Sequence, residues 1–88
     1  MHAVVGSVSV HDRDTAVKEL QQQVVPMVSG APGFVAGYWI ALANGQGRSV
    51  VVFDSESSAQ AAAGQMQQTP RGAVTIDSVE VGEVVANA

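Results

Sequence analysis

The sequence has no cysteine, which excludes disulfide staples and any thiolate chemistry. Histidine is nearly as scarce. His2 and His11 are the two in the chain, too few and too far apart to expect a metal site. If the segment between them is a strand rising about 3.3 Å per residue, they sit roughly 30 Å apart. The four basic residues, Arg13, Lys18, Arg48 and Arg71, are scattered against eight acids, for a net charge of −4. They form no basic patch, which argues against a nucleic-acid partner. No apolar run approaches the roughly 18 residues of a membrane span. No basic segment leads into an apolar one as in a secretory signal, so a cytoplasmic protein without membrane contact is expected. Aromatic residues number four, and all fall between positions 33 and 53: Phe34, Tyr38, Trp39 and Phe53.

That stretch organises the chain. It reads as a β-hairpin whose turn is supplied by Asn44-Gly45 and Gly47, residues able to take the positive φ that such loops need. Strict alternation puts Phe34, Ala36, Tyr38, Ile40 and Leu42 on one side of the first arm. Val35, Gly37, Trp39, Ala41 and Ala43 fall on the other. Both sides are apolar, whereas a strand with one wet face alternates apolar and polar. Something is therefore expected to cover both faces. A chain of 88 residues forms one domain, 1–88, and buries only roughly 60–65% of its unfolded surface. A second copy is the expected cover.

The remaining elements follow from periodicity. Residues 2–10 are rich in β-branched residues and read as a strand, with Val4, Gly6, Val8 and Val10 on one face and Val5, Ser7 and Ser9 on the other. Asp12 or Asp14, with Thr15 as another candidate, is placed to cap a helix carrying Val17, Leu20, Val24, Met27 and Val28 at helical spacing. Pro26 interrupts it by removing a donor to the Gln22 carbonyl, so its last turn is expected to kink or loosen. Residues 49–53, with three consecutive valines, read as a central strand. Asp54 or Ser55 then caps a second helix, 55–68, whose apolar stripe is Ala59, Ala62, Ala63 and Met66. Thr69-Pro70-Arg71-Gly72 reads as a turn. The last strand begins at Val74, and its apolar phase changes near Asp77-Ser78, as at a β-bulge.

The order strand, helix, strand, strand, helix, strand is the split βαβ pattern. It predicts an α+β, ferredoxin-like domain with an antiparallel sheet in the order 4-1-3-2 and helices on one face. The chain resembles the dimeric α+β barrel superfamily, in particular its small antibiotic-biosynthesis-monooxygenase-like and stress-responsive barrel members. The residues that carry the resemblance are Ala31-Pro32-Gly33-Phe34-Val35, Gly37-Tyr38-Trp39, and Val50-Val51-Val52-Phe53-Asp54-Ser55-Glu56 leading into an alanine-rich helix. The resemblance implies a homodimeric barrel. It spans cofactor-independent quinone-forming monooxygenases, heme-degrading enzymes, lactone isomerases and proteins with no known activity. The chain departs from the active members in three places. Its second helix lacks the histidine that heme-degrading relatives use as axial ligand, Phe53 stands where a tryptophan is common, and Ser7 or Ser9 stands nearest to a frequent strand-one asparagine. No heme, metal or other cofactor is therefore expected.

The candidate ligand-binding residues are Tyr38, Trp39, Phe53 and Met66, set to line a cleft between sheet and helices for a small aromatic or quinone-like molecule. Tyr38 is the one side chain among them able to donate a proton. Against this, aromatic residues dominate cores and interfaces energetically, and packing is the preferred reading of Trp39. Other constellations carry less. Asp77, Glu80 and Glu83 are spaced by three and do not align on a strand of period two. Gly45 and Gly47 lack the third glycine and following helix of a phosphate loop. No nucleophile elbow or Ser-His-Asp context is present. The expectation is a non-catalytic homodimeric module that binds a small molecule or joins an assembly. The alternative is a cofactor-independent, monooxygenase-like enzyme.

Overall fold

A computed structural model describes residues 1–68 and 74–88. The turn expected at 69–72 lies outside the described residues. The element order is β1 (His2–Val10), α1 (Arg13–Glu19), a π-helical segment (Leu20–Val24), α2 (Val25–Ser29), β2 (Phe34–Ala41), β3 (Gln46–Phe53), α3 (Glu56–Gln68) and β4 (Val74–Glu83). The four strands form one antiparallel sheet in the order β2-β3-β1-β4, which is 4-1-3-2 read from the other edge. The fold is α+β and ferredoxin-like in general kind. Among the described residues no helix is long and apolar enough to cross a membrane.

One sheet face carries the core. Val4, Val51 and Phe53 are fully buried there and pack with Val24 and Val28 of the first helical stretch and Ala59 and Ala63 of α3. The alanine stripe lets α3 lie close to the sheet, because each methyl needs little room. Ser55 is its N-cap: the Ser58 amide donates to Ser55 Oγ at 3.3 Å. Asp12 caps α1, accepting from the Thr15 amide at 3.2 Å and from Thr15 Oγ1 at 2.9 Å. The Thr15 amide first, and its hydroxyl second, hold the Asp12 carboxyl below its ordinary value.

Several local expectations are corrected. The disturbance tied to Pro26 comes one turn earlier. The helix widens over Leu20–Val24, where the Val25 amide donates five residues back to the Leu20 carbonyl, and Pro26 sits in the first turn of α2. A proline ring clashes with the carbonyl four residues before it, and the wider turn gives that carbonyl room. Met27 is half exposed and lies outside the core. The hairpin loop is residues 42–45, closed by the Leu42 amide on the Gln46 carbonyl at 2.7 Å. Gly45 has positive φ, but Gly47 does not and belongs to β3. It is glycine for space: a Cβ there would press on Val8 and on the Ile40 carbonyl.

Strict alternation also fails in β2. A register shift between Phe34 and Ala36 moves Phe34 to the core face, edge-on to Phe53 with ring centroids 6.3 Å apart. The expected bulge in β4 is present: Ser7 pairs Ser78 while Val8 pairs Ile76, leaving Asp77 as the extra residue. The opposite sheet face carries Tyr38, Ile40, Val50, Val52 and Val5, and none of the described helices lies over it.

Candidate functional site

The core face of the sheet is not uniformly filled. Pairing sets its residues in rows across the four strands. One row is Gly37–Val51–Val4–Val81, and it is closely packed under the helices. The next row is Trp39–Ser49–Gly6–Val79, and the one after it Ala41–Gly47–Val8–Ile76. Four small residues, Ser49, Gly6, Gly47 and Ala41, fall side by side in these two rows. Above them lies a cavity of about 140 Å³.

Its other wall is helical. Ala16 and Val17 of α1, Leu20 and Val24 of the π segment, and Met66 of α3 close over the hollow. The wider π turn thus lies directly against the cavity, as such turns often do at functional sites. Apolar groups dominate the lining. Its charged residues on the helical side are Arg13 and Glu19; Arg48 also borders the hollow, but it belongs to the outer phase of β3, and its guanidinium donates to the Gly47 carbonyl at 2.9 Å and to Gln46 Oε1 at 3.3 Å.

Ser49 is the polar exception on the floor. It is 6% exposed, and its Oγ has no hydrogen-bond partner among the described residues. The hydroxyl occupies the space that a side chain on Gly6 would need, with the Met66 methyl nearby. Trp39 flanks Ser49 on β2, and its ring folds back over Gly37, whose missing side chain makes room for it.

The four candidate residues therefore separate. Trp39 and Met66 meet at the cavity. Phe53 is fully buried in the packed core and, with Met66, borders only a second hollow of about 30 Å³. Tyr38 is 63% exposed on the opposite sheet face, because β2 alternates and Trp39 takes the inner phase. Ser49 was not among the candidates. Its signal was available: it shares the period-two phase of Val51 and Phe53, and a lone polar residue in a buried phase needs an explanation.

The histidines stay apart. His2 Nε2 lies 3.3 Å from Glu56 Oε2, and His11 Nε2 lies 2.6 Å from Thr75 Oγ1 at the other end of β1. Asp77 accepts from Ser9 Oγ at 2.8 Å. Among the described residues no cluster of histidine or acidic side chains is suited to hold a metal ion. No protein-family model matches the chain, and no curated protein matches it.

Proposed function

We propose that the protein is a homodimeric binding module that holds one small, uncharged, apolar molecule per chain between its sheet and its first helical stretch. The cavity over Gly6, Ser49 and Gly47 carries this reading. Apolar cavities of about 150 Å³ hold a benzene ring, so about 140 Å³ suits a single ring. It falls below the roughly 300 Å³ where pockets for larger ligands begin. A porphyrin has no room there.

Binding is favoured over catalysis because the lining is mostly apolar, with one hydroxyl on the sheet floor and Glu19 as its acidic residue. Tyr38, the candidate proton donor, faces away from the cavity. This weakens the cofactor-independent monooxygenase reading. Membership of the dimeric α+β barrel superfamily rests on the resemblance described above together with the ferredoxin-like topology.

The second copy is placed on the outer sheet face. Val5, Tyr38, Ile40 and Leu42 are each exposed by more than a third, beside half-buried Val50 and Val52. The same face carries Arg48 on β3 and the acids Asp77 and Glu80 on β4, opposite charges that a self-complementary interface can pair. Stacking two such faces covers the apolar strip without opening the cavity.

Toluene is the direct probe of the binding reading. Titration followed by methyl chemical shifts is expected to saturate at one toluene per chain, with shifts concentrated on Val8, Leu20 and Met66. Unsaturable shifts, or shifts spread over the outer sheet face, would overturn the reading.

A further inference from the structure

The geometry points to a monocyclic phenol as the class of ligand, with Ser49 as the residue that selects its hydroxyl. This rests on the binding reading above and adds a polar requirement to it. Three observations converge. The cavity has room for one ring. Its floor is mostly apolar, and the buried hydroxyl of Ser49 has no hydrogen-bond partner among the described residues. Trp39, paired with Ser49 on the neighbouring strand, adds an aromatic side chain to the same cavity.

A serine hydroxyl donates one hydrogen bond and accepts two. Among the described residues nothing pairs with the Ser49 hydroxyl; the oxygen now lies against Gly6 and Met66, and a turn about the Ser49 Cα–Cβ bond is what would bring it to a ligand. A ring with one hydroxyl can pair with Ser49 while its carbons meet Val8, Leu20 and Met66. A ring with no polar group fills the hollow but leaves Ser49 unpaired. A carboxylate or ammonium set against Val8, Leu20 and Met66 would lose its hydration, so a neutral ring fits that part of the hollow. Sites built around a hydrogen-bonding group reject analogues that lack it, because the buried partner is then left alone.

The experiment compares phenol and toluene, which match in shape and differ in the hydroxyl, in the wild-type protein and in Ser49→Ala. Isothermal titration calorimetry gives each Kd, and the ratio of the toluene to the phenol Kd cancels what the two rings share. In Ser49→Ala this ratio is expected to fall by about tenfold, the scale of a buried hydroxyl losing its partner. Toluene affinity is expected to stay within about twofold, since the methylene of Ser49 remains as the alanine methyl. Toluene binding to the variant also reports that the cavity is intact. An unchanged ratio with toluene still bound would overturn the role of Ser49 and leave the binding module standing. Failure of both probes to bind the wild-type protein would overturn both.

Discussion

Replacing Ser49 with alanine is expected to stabilise the protein on its own while weakening its hold on a phenol. The perturbation removes one oxygen and nothing else. Ser49 Oγ is buried and has no partner among the described residues, so on this geometry folding takes that hydroxyl from water without compensation. An unpaired buried hydroxyl costs about 1–3 kcal/mol. Removing one heavy atom beside an existing hollow loses only about a few tenths of a kcal/mol of packing. The net gain is about 1 kcal/mol, which in a domain of this size raises Tm by roughly 4–8 °C. Thermal unfolding followed by circular dichroism, at fixed protein concentration because a dimer's Tm depends on it, reads the shift directly. A lower Tm for Ser49→Ala would refute the reasoning. It would mean that the hydroxyl is satisfied in solution, with water bridging it to a second polar group.

Three other substitutions test separate parts of the structure. Ile40→Asp puts a carboxylate on the apolar outer face, so the wild-type protein should sediment at about twice the chain mass and the variant at the chain mass; a monomeric wild-type protein would remove the second copy. Gly6→Ala sets a Cβ 2.5 Å from Ser49 Oγ and should cost about 1–3 kcal/mol by overpacking. In the double variant with Ser49→Ala most of that cost should disappear, and strict additivity of the two in denaturant melts would show that the hydroxyl does not sit over Gly6. Trp39→Ala should cost about 2 kcal/mol, less than the roughly 3–5 kcal/mol of a fully buried aromatic, because the ring is only half-buried. It should also abolish saturable toluene binding, and retained binding would show that Trp39 does not wall the cavity.

What the sequence made legible divides along physical lines. Element types and their order followed from periodicity: the valines of β1 and β3, the alanine stripe of α3 and the phase change at Asp77 each act within one element. Features set between elements were harder. Unbroken alternation groups Phe34 with Tyr38 and Ile40, whereas a register shift that only pairing with β3 defines sets it on the opposite face from them. Gly47 was read as a turn glycine because it follows Asn44-Gly45, whereas its role is the close approach of Val8 on the neighbouring strand. Three of the four expected cleft residues are aromatic, a property that does not decide which sheet face a side chain takes. The residue that marks the site is a serine, and its significance depends on what lies across from it.

The cavity is therefore a property of cross-strand register. Val4 opposite Val51 fills the sheet surface at one level. One pair further along, Gly6 opposite Ser49 leaves it low, and Gly47 opposite Val8 keeps it low again. Slipping β1 against β3 by one residue would turn these side chains to the other face and erase the hollow. The same register fixes where stability resides. The fully buried strand side chains Val4, Val51 and Phe53 gather at one end of the sheet, away from the hollow. Lining atoms that face a void forgo part of their dispersion attraction. A ligand that supplies the missing contacts binds the folded chain and not the unfolded one, so occupancy itself adds to stability. A hollow at this position thus weakens the fold where binding can restore it, and the buried, unpaired hydroxyl of Ser49 weakens it further in a way that a ligand with a matching polar group reverses.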